Sequence, residues 1–349
     1  MKRRETRKVY YGAVQVGGGS PVSIQSMSTR KAADSGAVLN ELASLAAAGC
    51  EIARVAVKDQ RDAEAINKIC SESPIPVVAD VHFNYRLAVL AAGNGAAGLR
   101  INPGNIGGAE KVRKVAAAAA EAGIPVRVGV NSGSLEKDLA PLYRKAPARA
   151  LCQSAVRAKE LMEDTGFGDL VFSIKSSDPM INLESNRLFA ADNDYPLHIG
   201  VTEAGPALSG AVRSAASLAL LLCEGIGDTL RISLSADPVE EVVAAAALLS
   251  ALGLREDIPR VVSCPTCGRC HIDVQGIAAE VERRVLSAGK GITVAVMGCE
   301  VNGPGEAAEA DVGIAGTAAG AVLFRKGRKL GPVSGDLLQA LLAEIDKLG

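Results

Sequence analysis

Along residues 22–254 one pattern recurs: a short β-branched run that ends on polar residues, then an Ala- and Leu-rich stretch with helical spacing. The runs lie at 22–27, 51–57, 76–81, 98–102, 125–130, 170–175, 196–201 and 229–234. The helical stretches between them stop at glycine-containing segments such as AAAGC, AAGNG, EAGIP and CEGIGD. Eight strand–helix units predict an α/β fold, a parallel (β/α)8 TIM-type barrel whose sheet closes on itself and leaves no open edge. An open doubly wound sheet is the alternative, and the lack of a GxGxxG turn after the first strand weighs against it.

The alternation ends at residues 258–259, so the pattern predicts a barrel over 1–258 and a small α+β domain over 259–349. The second unit should hold a strand leading into Cys264, a helix over 274–288 and a strand over 292–298. Further strands are expected near 311–315 and 321–325, with a last helix from Ser334. No polar low-complexity linker separates the two units, which predicts close packing or a short hinge.

Composition narrows the partners. With 349 residues, 48% of them hydrophobic, the chain can bury a sizeable core. A net charge of −1 with 22% charged residues provides no global field for nucleic acid or a membrane surface, so any anion site must be local. The basic start MKRRETRKVYYGAVQVGGG runs into glycines, not an apolar signal segment, and reads as a solvated tail. The most apolar stretches, 215–223 and 242–254, are too short to span a bilayer, and a cytoplasmic location is the expectation.

Active sites of (β/α)8 barrels lie at the C-terminal ends of the strands, and here those ends are unusually basic. Arg54, Arg100, Arg127, Lys175 and Arg231 come from five different strands. Five cations in an otherwise apolar setting require anions, and Asp80 and Glu203 supply only part of the charge. The remainder predicts a ligand with two or more negative charges, and guanidinium forks suit phosphate oxygens. Pairing of several of these cations with carboxylates at the barrel rim is the competing explanation. His82, Asn102, Asn131 and Ser233 accompany the cations. Glu203, set among glycine and alanine after an apolar strand, suits a partly desolvated proton donor; a carboxylate paired to a neighbouring arginine fits the same residues.

Of eight cysteines, Cys50, Cys70, Cys152 and Cys223 are scattered in alanine- and leucine-rich segments, as small buried thiols are. The others form SCPTCGRCHIDV and, further on, AVMGCEVNGPGE. Grouped cysteines of this kind indicate metal rather than disulfides. Two centres compete on spacing. Zinc would take Cys264, Cys267, Cys270 and Cys299 in a closed site. An iron–sulfur cluster would take three thiolates and Glu306, brought round by the NGPGE turn.

The ordered set SIQSM, ARVAV, VADVHF, LRINPGNIG, RVGVNSGSLEKDL, SIKSSD, HIGVTEAG, RISLSADP, SCPTCGR and MGCEVNGPGE spans most of the chain. It resembles the bacterial 4-hydroxy-3-methylbut-2-enyl diphosphate synthases of the methylerythritol phosphate route. The resemblance implies reductive opening of 2-C-methyl-D-erythritol 2,4-cyclodiphosphate with loss of water. It implies a [4Fe–4S] cluster on Cys264, Cys267, Cys299 and Glu306, with Cys270, where family members commonly lack cysteine, as a bystander. It also implies a substrate pocket of Arg54, Asp80, His82, Arg100, Asn102, Arg127, Asn131, Lys175, Arg231 and Ser233, with Glu203 as the acid. Reduced flavodoxin or ferredoxin is the implied donor, and a homodimer in which the cluster domain of one subunit caps the barrel of the other is the implied assembly. The rival from another class is a zinc-stabilised barrel that binds a phosphorylated metabolite without redox chemistry.

Overall fold

A computed structural model describes residues 2–288, 291–301 and 303–348. The chain forms two compact units, Met1–Leu248 and Leu249–Gly349. In the first, a hairpin of β1 (Lys8–Tyr11) and β2 (Val14–Gly17) precedes eight barrel strands. These are β3 (Ser23–Met27), β4 (Ile52–Ala56), β5 (Val77–Asp80), β6 (Gly98–Ile101), β7 (Val126–Asn131), β8 (Leu170–Lys175), β9 (His198–Ile199) and β10 (Thr229–Leu230). Each of the eight apolar runs becomes a strand, though the last two contribute only two residues each.

The strands pair in parallel in the order β8-β7-β6-β5-β4-β3-β10-β9, and a parallel bridge from Phe172 to Leu197 joins the two ends and closes the ring. Side-chain caps start several of the outer helices. Asp34, Asp59, Asn84 and Asp178 each accept a backbone N–H from the first helical turn that follows.

The N-terminal segment is not a solvated tail. The alternation of KVYY and VQVG across a Gly12-Ala13 turn builds a hairpin that buries Val9, Tyr11 and Val16. These pack against Ile52, Val78 and Val171, the lowest inward residues of β4, β5 and β8, so the hairpin plugs the end of the barrel opposite the strand C-termini. Its fit fixes a glycine: a Cβ on Gly98 would lie 2.5 Å from Tyr11 Cε1. Gly98→Ala should therefore cost about 1–3 kcal/mol by overpacking, read as a lowered denaturant midpoint.

Above this apolar floor the inward positions turn polar. Period-two alternation makes Arg54 follow Ile52, Asp80 follow Val78, and Ser173 and Lys175 follow Val171 on the same face. The fold thus converts a strand pattern into a layered interior, apolar below and charged at the mouth.

The second unit is a five-stranded mixed sheet, β11 (Arg260–Ser263), β12 (Thr293–Met297), β13 (Val312–Thr317), β14 (Gly320–Arg325) and β15 (Arg328–Val333), in sequential order. β11 to β13 are parallel and the last two strands antiparallel. Helices Val274–Ala288 and Leu337–Asp346 cover one face through Val281, Leu341 and Ile345 packed on Val294, Val296, Val312 and Ile314. The other face carries the short helix Gly303–Ala308, with Ala307 against Ala295, Met297 and Ala315. Two elements depart from expectation. The NGPGE segment is not an open turn: from Gly303 it winds into that short helix, which seats Ala307 in an apolar pocket, while Asn302 lies outside the described residues. β15 reads RKLGPV, an edge strand with mostly exposed side chains and a proline, so no apolar alternation announces it. Among the described residues no helix is long and apolar enough to cross a membrane.

Candidate active site and cluster cavity

The barrel mouth is organised around one carboxylate. Asp80, at the end of β5 and 4% exposed, lies 3.2 Å from Arg100 Nη1, 3.5 Å from Arg54 Nε and 3.5 Å from His82 Nε2. Burial alone would raise its carboxyl, but Arg54, the His82 ring and Arg100 overcome that and hold it well below the usual carboxylate range. Arg54 also points Nε and Nη2 at Met27 Sδ, at 3.1 and 2.7 Å.

Arg231 has its own partner. Glu241, buried in helix Pro238–Ala251, accepts from its Nε and Nη2 at 2.8 Å each, and also from Ser26 Oγ and Leu234 N–H. The sequence reading did not single out Glu241; it looked like an ordinary first-turn acid of a surface helix. Rim pairing thus holds for Arg231, and only in part for Arg54 and Arg100, which share one carboxylate.

Arg127 and Lys175 have no acidic partner among the described residues. Arg127, 1% exposed in β7, donates Nη1 to the neutral Gln25 side chain, while its Nε and Nη2 find no acceptor among the described residues. Burial, offset partly by Tyr11, brings its guanidinium down to about 10, so it stays charged at neutral pH. Lys175 is 7% exposed at the end of β8, and its amine makes no hydrogen bond or ion pair with any described residue. Burial first, then Arg127, Arg54, Arg231 and Arg100, push its amine well below the ordinary lysine value. Beside them His198 is fully buried, its ring nitrogens without a partner among the described residues, and burial among these cations keeps it neutral.

His82, Arg100, Asn102, Asn131 and Glu203 line one cavity of about 220 Å³. Asn102 caps the short helix Pro103–Ile106 through Gly104 N–H at 3.0 Å and donates Nδ2 to Ser134 Oγ at 3.2 Å. With its amide oxygen turned inward, Asn131 accepts from Arg100 Nη2 at 3.1 Å. Ser233 follows β10, half-buried. Glu203 corrects an expectation: its side chain is exposed rather than partly desolvated, because the chain leaves the barrel wall at this point. Its backbone is unusual, with φ +53°, a left-handed conformation that a β-carbon disfavours. An adjoining cavity of about 450 Å³ lies between Met27, Asp80, His82 and Phe83.

In the second unit, Cys264, Cys267, Cys299 and Glu306 line a single cavity of about 390 Å³. The ends of β11 and β12 bring Cys264 and Cys299 there, and the helix from Gly303 brings Glu306. Gly298 N–H donates to Cys264 Sγ at 3.1 Å, the kind of bond that stabilises a thiolate ligand. Cys270 is turned away, its S–H donated to Ile272 O at 3.1 Å and its body packed on the apolar core under helix Val274–Ala288. Among the described residues no three His, Cys, Asp or Glu converge tightly enough for one ion. Three thiols and a carboxyl round one cavity are donor types that could hold an iron–sulfur cluster.

The comparisons agree with this architecture. The GcpE TIM-barrel domain matches residues 6–246 and the GcpE protein C-terminal domain residues 260–347. A Geobacter sulfurreducens protein named 4-hydroxy-3-methylbut-2-en-1-yl diphosphate synthase (flavodoxin) is 50% identical over 347 residues, covering 99% of this chain and 98% of that protein. Relatives of the same name from Desulfotalea psychrophila and Clostridium acetobutylicum are 51% and 48% identical, covering 100% of this chain and 97% and 100% of their own lengths. Among solved structures, a type I 3-dehydroquinate dehydratase from Clostridium difficile superposes with TM-score 0.52 at 15% identity, over 71% of this chain and 97% of its own. A Yersinia pestis dihydropteroate synthase gives 0.51 at 13%, over 70% and 98%. At such identities the two structures speak for the barrel fold alone.

Proposed function

This chain belongs to the GcpE family, and on that premise we propose that it opens 2-C-methyl-D-erythritol 2,4-cyclodiphosphate reductively to 4-hydroxy-3-methylbut-2-enyl diphosphate. The observation that carries the reading is a barrel interior where Arg127, low in β7 toward the hairpin, and Lys175, at the end of β8, lack carboxylate partners among the described residues, which calls for a polyanion. Supporting it is the second unit's donor set, three thiols and a carboxyl around one cavity.

Cys264, Cys267, Cys299 and Glu306 would hold a [4Fe–4S] cluster, which when bound supplies electrons singly and offers one iron whose carboxylate ligand is exchangeable. The barrel residues do the rest. Arg54, Arg100, Arg127, Lys175 and Arg231 bind and orient the diphosphate, with the guanidinium forks engaging its oxygens. Asp80 holds Arg54 and Arg100 in place so that they present ordered donors rather than collapse or repel. Asn102 and Asn131 fix the polar wall beside them. Glu203 Oε delivers the proton that lets the leaving hydroxyl depart as water. A flavodoxin-type protein is the electron donor, a reading that the relatives' names support, and a homodimer is the assembly proposed with it.

The test is anaerobic: purified chain, reduced donor and the cyclodiphosphate, with product followed by mass spectrometry. Consumption of the cyclodiphosphate and about four irons per chain support the reading; a colourless protein with one zinc and no turnover refutes it. Glu203 gives a second, opposed pair of readouts. Glu203→Gly should raise stability by about 1 kcal/mol by relieving the left-handed backbone, and should abolish turnover. A variant that gains stability and keeps full turnover would remove Glu203 from the reaction.

A further inference from the structure

We propose that binding of the doubly charged substrate in the barrel is coupled to uptake of one proton from solvent by Lys175 Nζ. The inference rests on the diphosphate reading above and adds a property of the free site.

Charge and burial carry the argument. The charged groups acting on the amine are Arg127 from β7, Arg54 from β4, Arg231 from β10 and Arg100 from β6, and the neutral His198 of β9 lies beside it; Asp80 of β5 is paired with Arg54 and Arg100, and Glu241 with Arg231. Asp80 and Glu241 are the acidic groups in that ring, and both are already taken up by guanidiniums. The four guanidiniums therefore exceed the two carboxylates before Lys175 is counted, and an ammonium would add a further uncompensated charge in a buried place. Arginine does not shed its proton in proteins, whereas a buried lysine does so readily. The lysine is thus where the site relieves its excess charge.

One side of the amine is closed: a Cβ on Gly200 would come within 2.8 Å of Nζ and 2.5 Å of Arg231 O, so the backbone of the neighbouring strand packs against it. Among the described residues nothing accepts from it. When a ligand with two fixed negative charges arrives, the excess is cancelled and phosphate oxygens become acceptors for an ammonium. The balanced step is amine plus solvent proton plus dianion giving the ammonium–dianion pair, with no bond in the ligand broken. Each phosphorus of a cyclic diphosphate has one strongly acidic oxygen, so the ligand brings no titration of its own.

Isothermal calorimetry of the oxidised, anaerobic holoenzyme with the cyclodiphosphate tests this, at about pH 8, where imidazoles are neutral, in buffers with different heats of ionisation. The expected result is a buffer-dependent heat equivalent to proton uptake approaching one per chain, lost in Lys175→Arg, which stays charged. In the wild-type chain, affinity should also weaken with rising pH, by up to about tenfold per unit. Equal heats in every buffer, a flat affinity across the alkaline range, or uptake that survives in Lys175→Arg each overturn the proposal while leaving the diphosphate site intact. Absence of any binding overturns the diphosphate reading, and the proposal with it.

Discussion

Cys299→Ala is expected to yield a folded, colourless protein with no turnover. Cys299 lies on the cysteine-lined cavity and stands apart from both apolar clusters of the second unit, whereas Cys264 and Cys270 pack against them. Removing its sulfur therefore takes a ligand away at little cost to packing. Iron should fall from about four per chain to a small residue, with the visible absorption lost in parallel. Cys270→Ala is the counterpart. It gives up one S–H bond to Ile272 O and a little core contact, so it should lose some stability but keep iron, colour and turnover. If Cys270→Ala were to lose its metal while Glu306→Gln kept it, the centre would be a closed four-thiolate site, as zinc prefers, and the ligand assignment would fail.

That contrast shows where spacing runs out as evidence. C-x2-C-x2-C places three sulfurs within reach of one another in sequence, and nothing in the interval says which will face inward. The backbone after Cys267 decides it: Cys270 N–H bonds back to Cys267 O and His271 N–H to Gly298 O, which rolls the third thiol onto the core. Glu306 lines the same cavity as Cys264, Cys267 and Cys299, but it does so from a helix and not from the expected turn.

The barrel itself was legible because its strands are short apolar runs repeated eight times with helical stretches between them, a pattern set by local burial. The hairpin plug was not, because Lys8–Gly17 alternates over only four residues a side and is hidden among lysines and arginines. The basic ring was legible residue by residue, since each cation sits in a run that otherwise reads as buried. Its partners were harder. Glu241 stands in a helix beyond the strand it serves, and Gln25 and His198 carry no charge at neutral pH to mark them inside their runs. A bulky polar side chain in the middle of an apolar run, Gln25 in VSIQSM and His198 in PLHIGV, is the signal that would have found both of these.

Asp80→Asn should be the most damaging single change in the barrel. It removes the one carboxylate shared by Arg54 and Arg100 and leaves two guanidiniums facing an amide, a loss of about 3–5 kcal/mol for breaking a buried pair on one side. The pH dependence follows from the depressed carboxyl. Its stabilisation is present above the unfolded carboxylate value of about 3.9 and is lost as pH falls through the lower folded value. Wild-type stability should thus hold at mildly acidic pH and fall only well into the acid range, while Asp80→Asn starts low and lacks this part of the acid limb. The excess positive charge also predicts a remedy. Pyrophosphate or the cyclodiphosphate should raise the melting temperature of Asp80→Asn more than that of the wild-type chain, because the anion replaces part of what the carboxylate supplied. Equal shifts in the two proteins would mean that Asp80 braces the barrel wall without balancing its charge, and that the anion site does not draw on the same cations.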